Sequence, residues 1–275
     1  MATRIQKWRA LGATLSLAVA VAVPIQRAAS AMSTSASGGD DYVTYSGIAV
    51  AQHTRHLLYG EKHVLIYREG KLAERVVLYT CRDGSAFARK TVSYDGSLAP
   101  NFVLDDASNG MHEGIRGDAS GRSVFFRASN AAAEKTGALP QVSGLVADAG
   151  FDEFVRVNWQ SLLTGNSLSM RFLIPSRVDD LRFRVGHLRS DVLDGKAVEV
   201  FRLQLAGALG WILPGIDVYY GAVDRVLMRY VGLSDLRDAS QDNMKVDIAF
   251  HPRDRTAAGA RDIDAARQAR IAPCQ

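Results

Sequence analysis

The sequence predicts a mainly β, β-rich α+β fold: a long, strongly curled antiparallel meander, a half-barrel, wrapped around one amphipathic helix. Three observations predict it. Alternation of period two runs through most of the chain: Leu181, Phe183 and Val185 interleave with Arg182, Arg184 and Gly186, and Met244, Val246, Ile248 and Phe250 with Lys245, Asp247 and Ala249. Such patterns, with one charged face, mark half-solvated antiparallel strands. Turn signals punctuate them at short intervals. Only one long segment, "DAGFDEFVRVNWQSLL", abandons the alternation for a spacing of three and four.

In chain order, the first element lies outside the fold. Met1 to Arg9 carries Arg4, Lys7 and Arg9, an apolar run follows to Ile25, and Ala29-Ser30-Ala31 supplies small residues for cleavage. This is the pattern of an export signal over 1–31. The apolar run is short for a membrane span, and Pro24 near its end favours cleavage over anchoring. Residues 32–41, "MSTSASGGDD", form a Ser/Gly-rich linker, expected to be disordered.

The chain's formal charge is +4, and the four basic residues of 1–31 (Arg4, Lys7, Arg9, Arg27) account for all of it. The remaining 244 residues are formally neutral, which removes the compositional support for nucleic-acid binding. They contain no other apolar run long enough to cross a bilayer, so no transmembrane span is expected in the mature chain. The localisation expected is periplasmic or secreted.

The next 211 residues, 42–252, are expected to form one β-rich domain. Strands are predicted at 42–51, 54–59, 62–69, 72–81, 86–94, 111–117, 122–128, 168–175, 181–191, 196–206, 215–221, 223–233 and 243–251. Turns are predicted at Tyr59-Gly60-Glu61-Lys62, Arg68-Glu69-Gly70-Lys71, Arg82-Asp83-Gly84-Ser85, Asp95-Gly96, Asp118 to Gly121 and Asp194-Gly195-Lys196. The helix near 150–164 places Phe151, Phe154, Val155, Trp159, Leu162 and Leu163 on one stripe, with Asp148 or Asp152 as its cap and Gly165 past its end. Residues 253–275 form a polar Ala/Arg-rich tail, with a terminal helix expected within 256–271. A meander of this length must hide its apolar face by closing, or by curling around the helix.

Cys81 and Cys274 are the two cysteines. In an exported chain they are candidates for a disulfide tying the tail to a central strand; a mobile tail with both thiols free is the alternative. Two cysteines make no convincing zinc site, and the six histidines include one close pair, His53 and His56, which would face apart on a strand. No metal and no cofactor are expected.

The sequence lacks a nucleophile elbow, a phosphate loop and a dinucleotide fingerprint, so no catalytic residue is expected. His112, Asp105 and Ser108 are the nearest hydrolase-like grouping. Asp105-Asp106 and Asp179-Asp180 adjoin turns and are expected to be solvated.

One tract stands out. In "LQLAGALGWILPGIDVYY", Leu203 to Tyr220, Gln204 is the only polar side chain ahead of Asp217. It is an apolar connection between two strands, where polar residues are usual. Burying Leu209, Trp211, Ile212 and Leu213 is worth about 6–12 kcal/mol at roughly 1.5–3 each. Either the connection folds inward over the core, or it meets an apolar ligand or a membrane. Leu209, Trp211, Ile212, Leu213, Phe154 and Trp159 are therefore the candidate cavity or mouth residues.

The stretch "IDVYYGAVDRVLMRYVGLSDLRDASQDNMKVDIAFHP" runs strand, turn, strand, polar connection, strand. With the leader, the meander and the single helix, it resembles the closing strands of the LolA/LolB-like half-barrel superfamily of periplasmic lipoprotein carriers and their secreted relatives. The resemblance implies binding of a lipid or acylated ligand in an apolar concavity and brings no catalytic residues. The function expected is therefore non-enzymatic binding of a lipid, acyl chain or other apolar envelope component. A structural module docking an envelope protein partner is the alternative.

Overall fold

A computed structural model describes residues 40–207 and 215–275 of the chain. The expected leader and all but the end of the expected linker fall outside them, as do Leu209, Trp211, Ile212 and Leu213. The last linker residue, Asp41, begins a strand.

Alternation produces two meanders. The N-terminal one comprises β1 (Asp41–Ala51), β2 (Leu57–Arg68), β3 (Lys71–Thr80), β4 (Ala86–Ser93), β5 (Asn101–Asp106), β6 (Met111–Asp118), β7 (Gly121–Arg127) and β8 (Lys135–Ala138). The C-terminal one comprises β9 (Leu145–Val146), β10 (Leu168–Ile174), β11 (Asp179–Leu193), β12 (Lys196–Leu205), β13 (Ile216–Gly221), β14 (Leu227–Arg237) and β15 (Asn243–Phe250). Antiparallel pairing of β1 with β15 joins them into one curled, unclosed sheet whose ends are β8 and β9. Gly47 faces Phe250 in that seam, and a Cβ there would lie 2.4 Å from the Phe250 ring, so the seam needs glycine at this point.

Turn chemistry sets the hairpins. Glu69-Gly70 and Asp194-Gly195 both take positive φ at two successive residues (51° and 74°, 50° and 75°), as a tight two-residue hairpin requires. The turn expected at Tyr59 to Lys62 does not form. Tyr59, Glu61, His63 and Leu65 alternate inward without interruption, and the strand runs through Gly60. β5, β8 and β9 carry too short a pattern to have been predicted.

The predicted single helix is two: α1 (Gly150–Val157) and α2 (Trp159–Leu163). Asn158 separates them, its side-chain amide donating to the Phe154 carbonyl at 2.8 Å. Neither Asp148 nor Asp152 caps α1, because both side chains are drawn inside the sheet. At Gly150 a Cβ would stand 1.9 Å from the Leu98 carbonyl oxygen, so the start of α1 lies directly on the Leu98 backbone. The aromatic stripe packs as its spacing predicts: Phe151, Phe154, Val155, Trp159 and Leu162 meet Val185, Phe201, Leu203, Val218 and Tyr220 on the inner face of β11–β13.

The tail lies on the outside. A two-residue strand, β16 (Thr256–Ala257), adds to β1, and α3 (Ala260–Gln268) sets Ile263 and Ala266 on Val64, Ile66 and Val76 of β2 and β3. Arg267 reaches Glu74, Arg89 donates to the carbonyls of Arg267 and Ala269, and Cys274 is joined to Cys81 just beyond β3, with the two Cα atoms 5.6 Å apart.

Candidate functional site

Inside the curl, the two meanders present different inner faces. The inward positions of β2, β3 and β4 include Glu61 and His63, Arg75, and Lys90, all less than a tenth exposed. Period-two logic makes a strand's charged face the solvated one. Here Glu61, His63, Arg75 and Lys90 point inward, and Val64, Ile66 and Val76 point outward under α3, alongside Glu74 and Arg89, which bond the tail.

The charges are paired. Arg75 Nη2 lies 3.1 Å from Asp152 Oδ2, and Tyr220 donates its hydroxyl to Asp152 Oδ1 at 2.7 Å. Burial raises the Asp152 pKa, but Arg75 and its other partners outweigh this and hold it below the usual carboxylate value. Lys90 Nζ donates to both Asp148 and Asp235. Burial would strip its proton, yet these two carboxylates keep its pKa well above the usual lysine value. The two acids diverge. Burial pushes Asp148 up, whereas Lys90 outweighs burial at Asp235 and pulls it down. Asp148 sits at φ +45°, an uncommon conformation for a non-glycine residue, one residue from the α1 N-cap. His63 bonds Glu61 at 2.7 Å and stacks on Tyr45, its ring centroid 4.4 Å away. Burial lowers its pKa despite the carboxylate, so the ring is neutral at pH 7.

Two chambers share this wall. One, of about 180 Å³, is bounded by the charged residues of β2–β4 and by Phe151 and Asp152 of α1. The other, of about 290 Å³, is largely apolar, with Phe102, Phe172, Leu173, Leu181, Phe183 and Leu205 on its walls. Asp148, Phe172, Leu203, Ile216, Tyr230, Ser234 and Asp235 line both. The Asp235 side chain is 51% exposed, and that exposed surface faces the lumen, where it forms part of both chambers. Leu205 and Ile216 are the strand residues on either side of the apolar connection, and both border the apolar chamber.

Of six buried side-chain polar atoms without a hydrogen-bond partner among the described residues, Tyr94 Oη and Arg127 Nε lie outside the lumen lining, and four do not: His63 Nδ1, Arg75 Nε, Asp148 Oδ2 and Arg237 Nε. All four belong to residues lining the lumen. Buried polar groups are nearly always satisfied, so their concentration around one space marks it as a place for a polar group or water.

Two of the six predicted cavity residues are described, and they lie elsewhere. Phe154 and Trp159 are 7% and 3% exposed and belong to the packed core. Trp159 stands edge-on to Phe201 and Tyr220. The helix lends Phe151 and Asp152 to the lumen instead, because that edge of the stripe overhangs β3 rather than β12. The lumen charges were not among the expected site residues: Glu61 falls in a stretch expected to turn, and the strands of Arg75 and Lys90 carry charged residues on both faces. For β2 and β3 the sequence signal is the apolar stripe of Val64, Ile66, Val76 and Leu78 on the opposite side.

One member of each carboxylate pair departs from expectation, while Asp105 and Asp179 reach solvent. Asp106 is 2% exposed and accepts the Ser108 backbone N–H at 2.8 Å, and Asp180 is 4% exposed and paired with Arg171. His112 does meet Asp105 at 2.7 Å, but the Ser108 hydroxyl makes no hydrogen bond to His112. Among the described residues, no group of three His, Cys, Asp or Glu side chains is placed to hold a metal ion, and no helix is long and apolar enough to cross a membrane.

No family model and no curated protein matches the chain. Among solved structures it is similar to a β-barrel-like protein of the domain of unknown function DUF1849 from Brucella abortus, at 10% identity and a TM-score of 0.44 over 80% of this chain and 98% of that one. It is also similar to a Vibrio parahaemolyticus protein described as an outer membrane lipoprotein-sorting domain, at 8% identity and a TM-score of 0.29 over 84% of this chain and 92% of that one.

Proposed function

We propose that this is an exported, non-enzymatic protein that binds a lipid, an acyl chain or another apolar envelope component inside the curled sheet. The apolar chamber carries the reading. Phe172, Leu181, Phe183 and Leu205 present apolar surface to an internal space in a sheet left open between β8 and β9. Concave, mainly apolar spaces with a few polar groups are the usual form of small-ligand sites. The leader pattern and the Cys81–Cys274 bond support an oxidising, extracytoplasmic compartment.

Native mass spectrometry of gently purified protein is expected to show a co-purifying lipid, and a fluorescent acyl probe is expected to bind. Phe183→Asp should weaken the probe at least tenfold while leaving the fold intact by circular dichroism. Absence of both lipid and probe binding overturns the reading.

A further inference from the structure

The lumen has more acids than bases. Glu61, Glu113, Asp148, Asp152 and Asp235 line it, against Arg75, Lys90 and Arg237, with His63 neutral. Two of the three bases are ion-paired, while Arg75 Nε and Arg237 Nε keep no partner among the described residues. Arg75 is held by Asp152, and Lys90 by two carboxylates at once. Arg237 lies over the Phe126 ring at 5.3 Å and donates to the Gln241 carbonyl.

Glu113 is different. It projects from β6 into the apolar chamber and is 7% exposed, yet its carboxyl has no hydrogen bond and no ion pair with any described residue. A lone buried carboxyl is unfavourable, and the protein supplies no counter-charge at bonding distance. Asp235 lines the same chamber and turns its exposed surface to the lumen, while Asp148 beside it leaves Oδ2 without a partner.

We infer that the lumen selects an amphiphile with a positively charged head, an ammonium group on an apolar chain, held between Glu113 and Asp235 with its chain against Phe172, Phe183 and Leu205. The inference rests on the proposed lumenal binding and specifies the class of ligand. An ammonium group supplies the counter-charge that Glu113 lacks, which favours the ionised form of that acid, and donates hydrogen bonds to the resulting carboxylate oxygens. An anionic head gives Glu113 no counter-charge and meets the ionised Asp235 in the same space, which weakens it relative to the ammonium head. Because no three acids converge at metal-ligand spacing among the described residues, an organic cation fits the arrangement and a bare metal ion does not.

The test uses decylamine, decanol and decanoate, three heads on one chain, competing at pH 7 with a fluorescent acyl probe bound to the full mature protein. Decylamine is expected to bind at least tenfold tighter than decanoate, with decanol between them. Asp235→Asn and Glu113→Gln should each weaken decylamine about tenfold and move decanol less than twofold. Glu113→Gln keeps side-chain size and removes the buried acid, so it is expected to fold, and decanol binding confirms an intact lumen. Decanoate binding as tightly as decylamine, or equal losses for decylamine and decanol in the two variants, overturns the charge selection and leaves lumenal binding standing. Failure of all three ligands and of the probe overturns both.

Discussion

The two meanders follow one alternating pattern, but only the N-terminal one sets a cluster of charged side chains among its buried apolar residues. On the C-terminal meander the inner positions Val185, Phe201, Leu203, Val218 and Tyr220 are apolar or aromatic and are covered by α1 and α2. On the N-terminal meander the inner positions include Glu61, His63, Arg75 and Lys90, and the apolar alternates are capped from outside by α3. Alternation states that a strand has two different faces. Which face is interior depends on what covers the other one. A tail helix on the outer surface allows strands to turn charge inward, and the inward charge sits beside the packed apolar cluster of Tyr59, Leu65, Val77, Tyr79 and Phe87.

The comparison is tested most sharply by removing one anchor from each side. Trp159→Ala is expected to destabilise the C-terminal core by about 3–5 kcal/mol, as large aromatic deletions do. Arg75→Ala should cost a similar ~3–5 kcal/mol because it leaves Asp152 buried and unpaired. The two losses differ in kind. Arg75→Met combined with Asp152→Leu should recover most of the stability, whereas no partner substitution restores Trp159→Ala. Urea denaturation of the set reads the difference, and an Arg75→Ala loss below about 1 kcal/mol would show that the polar half is not structurally integral.

Next in size is the outer cap. Cys81→Ser should lower stability by about 2–5 kcal/mol, the usual range for a lost disulfide. Release of the tail should expose Val64, Ile66 and Val76, so hydrogen exchange should rise first in α3, β2 and β3. Uniform exchange across both meanders would refute the capping role of the tail.

The pH dependence of Glu113 is the third effect. Burial first, then Asp235, raises its pKa to about 8 against the opposing pull of Lys90 and Arg237. Between its ordinary value and about pH 8 the native state binds a proton that the unfolded chain has lost, so this group makes stability fall as pH rises through that window. Glu113→Gln removes the slope. Its melting temperature should match wild type near pH 5 and exceed it increasingly toward pH 8, by the equivalent of about 2–4 kcal/mol. A constant offset at all pH values would contradict the assignment.

The smallest effect is expected on the outer face. Arg202 makes a two-pronged bond to Asp217, both distances 2.6 Å, with its own side chain 39% exposed. Arg202→Ala should cost no more than about 1 kcal/mol, and salt should erase much of the difference. Ion pairs of the same chemistry thus differ in consequence according to which side of the sheet they occupy.

Strand positions, hairpin turns, the helical stripe and the terminal helix were legible in the sequence because they follow from local periodicity and turn chemistry. Alternation placed β1, β3, β4, β6 and β7 within a residue or two of where they form. Gly165, just past α2 with φ +87°, is the glycine its position required. The break at Asn158 and the unbroken run through Gly60 were not legible. The first depends on a side-chain bond within the helix, the second on what each strand residue packs against.

Sequence by itself determined that the chain is an antiparallel meander carrying an amphipathic helix, since a period of two or of three to four is a property of neighbouring residues. Only the tertiary structure decided which face of each strand is the inside. That choice rests on contacts between residues far apart in the chain: Ile263 on Val64, Cys274 with Cys81, Asp152 with Arg75, Asp235 with Lys90. A charged residue on a half-polar strand looks the same in sequence whether it faces water or a lumen. The energy that separates the two cases comes from partners brought together by the curl of the sheet.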